Sequence, residues 1–106
     1  MKGTAVFLKS AHLCMDHTLA DKIFKRLYTA YVVYVQERKQ LLITPTSSGW
    51  FRKMHQPLQL LLKEKNLNGD RSLSIRQLLM DHDLDMNDRV LAYEIIEKTK
   101  LIKVFF

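Results

Sequence analysis

Cysteine is nearly absent from this chain of 106 residues, in which Cys14 is the one example. A single cysteine excludes an internal disulfide and fits a reducing compartment. No apolar run approaches the ~20 residues that a membrane-spanning helix needs. The first ten residues lack the pattern of a signal peptide, because Lys9 interrupts an apolar run that is already short. These absences predict a cytoplasmic protein without a membrane segment.

Catalytic and metal-binding patterns are missing as well. No carboxylate pair, catalytic triad or glycine-rich phosphate loop stands out. The neighbours His12, Cys14, Asp16 and His17 are residue types that bind metals, but no second ligand pair with matching spacing occurs elsewhere. The alternating acids of Asp81–Asp88 lack the central glycine and the final glutamate of a calcium loop. We therefore expect no catalysis, no metal and no cofactor.

The charge of the chain is positive and unevenly distributed. The formal net charge is +6, and the hydrophobic fraction of 47% is that of an ordinary packed domain. Residues 1–54 contain nine Lys and Arg against three Asp and Glu, whereas residues 55–106 contain eight of each. A basic half is typical of a protein that binds a polyanion such as nucleic acid. It is equally compatible with a surface that only keeps the protein in solution.

The segment Asp70–Phe106 predicts a strand, a short helix, an acidic turn and a hairpin. A short alternating run comes first, and a helical run, Arg76–Met80, and an acidic turn, Asp81–Asp88, follow it. Arg89–Ile96 and Lys100–Phe106 are rich in β-branched and aromatic residues, which favour strands. An unpaired apolar C-terminal strand would promote aggregation, so we expect this one to be buried.

The first half of the chain predicts a similar order of elements. Thr4–Leu13 favours a strand, which we expect to pair with Leu58–Leu67, whose LQLLL sequence suggests a buried strand. Thr18 or Asp21 is the expected cap of a helix that runs to Tyr28.

A hairpin and a linker complete the first half. Thr29–Thr44 predicts the hairpin, and the turn-forming sequence PTSSG follows it. A short helix is expected over Gly49–His55. We expect its three large apolar residues to pack on the rest of the protein: Trp50, Phe51 and Met54.

The two halves align with each other. With a shift of 54 positions, Phe7–Lys22 matches Leu61–Arg76 and five pairs are identical. After an insertion of six residues in the second copy, Tyr31–Ile43 matches Leu91–Lys103. We predict one domain of two repeats, about 4–45 and 58–106, joined by the linker 46–57. Chance similarity between two amphipathic stretches is the alternative.

Two motifs of the second copy resemble those of a regulator family. The sequence DRSLSIR (residues 70–76) stands where the family has a Gly-Arg strand ending in Ile-Pro-Lys, and NDRV (residues 87–90) stands where Gly-Asp-Arg-Val opens a hairpin. The second copy thereby resembles the AbrB, SpoVT and MraZ transcription regulators, and two copies in one chain are most similar to MraZ. The resemblance implies a mainly β fold with short helices (α+β), a pseudo-twofold double swapped-hairpin β-barrel.

The resemblance implies a non-catalytic transcription regulator that binds double-stranded DNA and associates with the nucleoid. Arg71 takes the place of an arginine that faces DNA in that family, and arginine can grip phosphate or read guanine bidentately. Arg71 and Arg76 could instead pair with Asp70 and other carboxylates, and the other cations could be solvated surface charges. The residues assigned to DNA are Lys22, Lys25, Arg26, Arg38, Lys39, Arg71 and Arg76.

An oligomerising protein-interaction module or an antitoxin-like protein is the alternative function. A small barrel offers limited contact area to DNA, so we expect a homo-oligomer that spans successive half-sites. Binding to DNA should weaken steeply as salt rises, whereas an apolar protein interface should not.

Overall fold

The computed structural model describes residues 6–25, 27–47, 49–64 and 70–106. Within these ranges the chain is mainly β, with nine strands and three short α-helices. In chain order the elements are β1 (Val6–Lys9), β2 (His12–Met15), α1 (His17–Ile23), β3 (Thr29–Val35), β4 (Gln40–Pro45), α2 (Gly49–His55), β5 (Leu58–Glu64), β6 (Arg71–Ser74), α3 (Arg76–Asp81), β7 (Arg89–Val90), β8 (Ala92–Ile96) and β9 (Leu101–Phe105).

The nine strands form one antiparallel sheet that nearly closes into a barrel. The strand order is β7-β1-β2-β6-β5-β3-β4-β9-β8. The end strands β7 and β8 are consecutive in the chain and are separated by Leu91. Leu91 donates its backbone N–H to the Val6 carbonyl at 2.9 Å. The predicted strand Arg89–Ile96 is therefore broken, and the break allows its two parts to pair with β1 and β9 at opposite ends of the sheet.

The strand registers of the two halves correspond. In this comparison β1 corresponds to β5, β2 to β6, β4 to β9, and β3 to β7 and β8 taken together. When each strand is replaced by its counterpart, the order around the nearly closed barrel stays the same. In the β4–β9 ladder, Leu42 faces its own counterpart Lys103, 61 positions later. This register is compatible with the predicted pseudo-twofold relation between the halves, which stays a prediction. The descent of both halves from one unit and the swapped-hairpin connection stay predictions.

The predicted first strand, Thr4–Leu13, is wrong in its extent and in its partner. The chain turns at Ser10 and Ala11, whose φ angles are 51° and 63°. Two successive left-handed residues form the kind of tight turn that joins antiparallel strands. β1 consequently pairs with β2 and β7, whereas β5 pairs with β3 and β6. Residues 4–5 and 65–67 of the two predicted strands lie outside the described residues.

The alignment placed the six-residue insertion of the second copy between Arg76 and Leu91, but the strand registers place it earlier, between β5 and β6. Leu13 faces Leu73 in the β2–β6 ladder, and both are fully buried. These counterparts are 60 positions apart, so the shift of 54 applies to β1 and β5 alone. The predicted match of Lys22 with Arg76 is wrong, because Lys22 lies in the last turn of α1 and Arg76 begins α3.

Helix α1 begins and ends earlier than predicted. Asp16 is its N-cap, in place of either predicted residue, and its carboxylate accepts the N–H of Leu19 at 2.9 Å. The helix ends at Ile23, five residues before the predicted end. The left-handed conformation of Lys25, with φ of 53°, stops it from continuing.

Helix α2 packs on the outside of the barrel. Its predicted bounds, Gly49–His55, are confirmed, and Phe51 is fully buried against Leu42 and Leu101. Trp50 and Met54 were expected to pack as well, but they are 40% and 69% exposed. One apolar side chain per two turns is thus enough to attach this helix to β4 and β9.

Most of the remaining predictions are confirmed, and the prediction for β5 is the exception. The hairpin of β3 and β4 and the helix α3 are confirmed. The C-terminal strand is buried as expected, since it lies between β4 and β8 with Ile102 and Val104 inside the barrel. The LQLLL strand is not buried throughout, because Leu58 and Leu61 are each 55% exposed while Leu62 is fully buried.

Candidate nucleic-acid interface

One side of the sheet carries an excess of positive charge. We call β3, β4, β8, β9 and α2 with their connections, residues 29–57 and 92–106, the hairpin side. It contains seven Lys and Arg against three Glu, whereas the rest of the chain contains ten against eight. The hairpin side thus has a net charge of +4 (7 − 3) against +2 (10 − 8) for the rest of the chain, a smaller difference than that between the two halves of the sequence.

The turn between β3 and β4 is the first basic feature of this side. Gln36–Arg38 form a single 3-10 turn, and Lys39 takes the left-handed conformation, with φ of 53°. The Lys39 N–H donates to the Gln36 carbonyl at 3.3 Å, which closes the turn. Arg38 and Lys39 are both exposed, and no described carboxylate lies within salt-bridge distance of either. The two predicted cations are thus available to a polyanion.

The turn between β8 and β9 repeats this conformation with cations that the sequence prediction missed. Lys100 has φ of 55°, and its N–H donates to the Glu97 carbonyl at 3.2 Å. It lies 61 positions after Lys39, as the correspondence of the hairpins requires. Lys98 is exposed in the same turn. An alignment shifted by 61 positions, in place of 60, would have found this match.

The two turns lie at opposite ends of the hairpin side. In the β4–β9 ladder, Gln40 faces Phe105 and Ile43 faces Ile102, so each turn extends beyond a different end. About six strand positions separate them, or ~20 Å at ~3.3 Å per residue. Helix α2 lies over the middle of the same surface, and its exposed Arg52 and Lys53 add charge there. The hairpin side therefore has a cationic turn beyond each end of the β4–β9 ladder and the cations of α2 between them.

Two of the predicted site residues lie near the end of α1. Lys22 is held by an ion pair with Glu97 at 3.1 Å, and its carbonyl accepts from the Lys100 ammonium at 3.4 Å. Lys25 is exposed just after the helix. The predicted Arg26 lies outside the described residues. The end of α1 is therefore attached to the β8–β9 turn, and Lys25 is the more accessible of the two lysines.

Arg71, the residue assigned most firmly to DNA, is only 5% exposed. Its guanidinium donates to the Leu27 carbonyl at 3.1 Å and lies over the Tyr28 ring, 4.5 Å from the centroid. A buried guanidinium with these contacts stabilises the chain between α1 and β3. We remove Arg71 from the DNA surface for this reason.

Arg76 is exposed at the start of α3, away from the hairpin turns. The residue before it, Ile75, donates its N–H to the Ala11 carbonyl, which places the start of α3 beside the β1–β2 turn. Its predicted ion pairing with carboxylates is not observed among the described residues.

Helix α1 also shapes the electrostatics of β8. Burial raises the pKa of the Tyr93 phenol above its ordinary value, the nearby Asp16 carboxylate raises it further, and Lys22 opposes both. A phenol with a raised pKa stays neutral over a wider pH range.

Within the described residues, no group of three or more His, Cys, Asp or Glu side chains is arranged to hold a metal ion. No helix in the same part of the chain has the length and apolar character needed to cross a membrane.

Comparison of this chain with protein-family models, with curated proteins and with solved structures found no match. The resemblance to the AbrB, SpoVT and MraZ regulators therefore stays a prediction.

Proposed function

We propose that this protein is a non-catalytic DNA-binding regulator that holds double-stranded DNA against the hairpin side. The observation that supports the proposal is the pair of equivalent turns, in which Lys39 and Lys100 have the same left-handed conformation and lie ~20 Å apart. Two projecting cationic turns on one surface are suited to phosphates of one duplex, because phosphate contacts position a protein on DNA.

The dimensions of the molecule are compatible with this binding mode. Its longest extent is 33 Å, close to the ~34 Å of one helical turn of DNA. One molecule would therefore contact about one turn on one face of the duplex. Arg38 and Arg52 are the arginines of this surface, and they are the candidates for bidentate contacts to phosphate or guanine.

The proposal is tested by measuring the affinity for a random DNA duplex at about 50 and 200 mM salt. We expect Arg38→Gln with Lys39→Gln to weaken binding on the order of tenfold and to reduce the salt slope by about 1.8, or 0.9 per lost phosphate contact. Lys98→Gln with Lys100→Gln should weaken binding less, because the Lys100 ammonium already donates to the Lys22 carbonyl. Fluorescence anisotropy of a labelled duplex gives both quantities.

The matched control is Lys9→Gln with Lys63→Gln. These exposed lysines lie on β1 and β5, and the double variant loses the same charge as each turn variant. The control should keep most of the affinity. If the control weakens binding as much as the turn variants, the attraction is due to net charge and the hairpin side is not the contact surface. If the parent does not bind DNA at low salt, the proposed function is wrong.

The alternative, an oligomerising interaction module, has one observation in its favour. Trp50 and Met54 lie one helical turn apart on α2, and both are exposed. The cations Arg52 and Lys53 are exposed on the same helix, so a second copy seated there would bring like charges together. Sedimentation at low and high salt tests it: association that is insensitive to salt and lost in Trp50→Ser would favour the module over DNA binding.

A further inference from the structure

Two clefts occupy equivalent places in the barrel, each between the end of a helix and a hairpin turn. The α1 cleft lies beside the β8–β9 turn, has a volume of about 520 Å³ and is lined by Ile23, Phe24 and Lys100 among others. The α3 cleft lies beside the β3–β4 turn, has a volume of about 590 Å³ and is lined by His82 and Lys39 among others. Their different linings suggest different roles.

The α1 cleft is held together by contacts within the protein. The ion pair of Lys22 with Glu97 and the hydrogen bond from Lys100 to the Lys22 carbonyl attach the turn to the helix. In the α3 cleft, Gln36 takes the place of Glu97, 61 positions earlier, and no described ion pair attaches that turn to α3.

Aromatic rings form the walls of the α3 cleft. The His82 ring lies 4.7 Å from the Tyr34 ring, and the Phe106 ring lies 6.3 Å from Tyr34 in an edge-on arrangement. Tyr34 and Phe106 are half-buried, so part of their surface lines the open cleft. Partly exposed rings of this kind favour a planar aromatic ligand.

The polar groups of the α3 cleft have both signs. Lys39 supplies a cation and Asp83 a carboxylate, and neither has an ion-pair partner among the described residues. A second carboxylate of the lining, Asp85, lies 3.9 Å from the Arg89 guanidinium. Arg89 is already held, since its guanidinium donates to the carbonyls of Asp85 and Asn87 at 3.0 and 2.9 Å. A ligand that completes this cleft would therefore have a planar ring, an N–H donor for Asp83 and an anionic group for Lys39.

We propose that the α3 cleft binds a nucleotide, with the base on the aromatic walls and the phosphate on Lys39. A nucleotide has all three required features in one molecule: a planar heteroaromatic base, amino or imino N–H groups and a phosphate. The nucleotide could be free, or it could be an unpaired residue of a strand that passes the β3–β4 turn. Binding of a free nucleotide does not depend on the duplex binding proposed above.

The test uses the four common nucleoside monophosphates, AMP, GMP, CMP and UMP, with adenosine and inorganic phosphate as partial ligands. Isothermal titration calorimetry gives the affinities, and amide chemical shifts locate the site. We expect at least one monophosphate to bind saturably and more tightly than inorganic phosphate. Its shift changes should centre on Tyr34, His82 and Phe106.

The matched variants are Lys39→Asn and Lys100→Asn. Asparagine tolerates the left-handed conformation that both lysines adopt, so each variant removes one charge with little backbone strain. Lys39→Asn should weaken the monophosphate about tenfold or more and leave adenosine unchanged, whereas Lys100→Asn should change neither. Thermal melting shows that both variants are folded.

A short single-stranded oligonucleotide separates the two sources of the ligand. Tighter binding of the oligonucleotide than of any monophosphate, lost in Lys39→Asn, identifies a strand residue as the ligand. Equal affinities identify a free nucleotide. The proposal is overturned if no monophosphate binds saturably, if the two asparagine variants weaken binding equally, or if the shift changes lie outside the α3 cleft.

Discussion

The two hairpin turns share one backbone conformation but differ in their side-chain contacts. Lys39 and Lys100 have φ angles of 53° and 55° at corresponding positions. The β8–β9 turn is attached to α1 through the Lys22–Glu97 ion pair, and the β3–β4 turn has no such contact with α3 among the described residues. Two turns with the same backbone conformation therefore differ in accessibility: the β8–β9 turn is held by contacts within the protein, and the β3–β4 turn is open to a ligand.

Two buried residues at corresponding positions also differ between the halves. Ala11 and Arg71 are counterparts, 60 positions apart, and each is 5% exposed. The small alanine allows the tight β1–β2 turn, whereas the arginine reaches the Leu27 carbonyl and the Tyr28 ring. The strands that follow these two residues, β2 and β6, nevertheless pair with each other in a regular antiparallel ladder.

Loss of the Phe51 side chain should lower the stability of the protein more than any other substitution that we propose. Phe51 covers Leu42 of β4 and Leu101 of β9, so Phe51→Ala removes a contact that the two hairpins share. We expect the free energy of unfolding to fall by about 3–5 kcal/mol, as for other buried phenylalanines. Urea unfolding measures this change.

Trp50→Ala is the matched control on the same helix. Trp50 is 40% exposed and touches Phe51 edge-on, with 5.5 Å between ring centroids, so its loss should cost no more than about 1 kcal/mol. Equal effects of the two variants would show that α2 is not attached to the barrel through Phe51.

Arg71→Met should be the next largest change, and it tests the difference between the halves. Methionine retains much of the aliphatic volume but leaves the Leu27 carbonyl without its donor, which should cost about 1–3 kcal/mol. Urea unfolding measures the loss of stability, and duplex binding at a temperature where the variant is folded should be unchanged. A specific loss of DNA affinity with full stability would return Arg71 to the DNA surface.

Much of the fold could be predicted from local patterns. The two hairpins follow from β-branched and aromatic runs, and α2 follows from a turn-forming sequence, a following proline and one buried phenylalanine, Phe51. The burial of β9 follows from its apolar sequence. In these elements the local preference and the final packing agree.

The rest depends on contacts that are distant in the sequence. Neither Ser10 nor Ala11 is a residue that signals a left-handed turn, so the β1–β2 hairpin and the location of the insertion were missed. The burial of Arg71 requires the Leu27 carbonyl, 44 positions away. Lys98 and Lys100 join the candidate interface because antiparallel pairing of β4 with β9 brings the two hairpins onto one side.

Removal of the Lys22–Glu97 ion pair should have a small effect on stability. The two side chains are 47% and 65% exposed, so solvent screens the pair, and Glu97→Gln should cost no more than about 1 kcal/mol. The matched substitution in the other turn is Gln36→Glu, which should change stability still less because no lysine lies at the end of α3. Urea unfolding at low and high salt compares the two. A loss well above 1 kcal/mol in Glu97→Gln would mean that the ion pair does more than attach the turn to α1.

The smallest predicted effect concerns the pH dependence of β8. Burial raises the pKa of the Tyr93 phenol, whereas its counterpart in the first half, Val32, cannot ionise. Because the folded pKa lies above the unfolded value of about 10, this contribution to stability is fully present below pH 10. It is lost as the pH rises through the raised pKa. Urea unfolding of the parent and of Tyr93→Phe at about pH 8 and about pH 11 measures it. The parent should lose slightly more stability than the variant between the two pH values, since the other tyrosines titrate in both. An equal loss would show that the burial of this phenol on the α1 side does not distinguish the two halves.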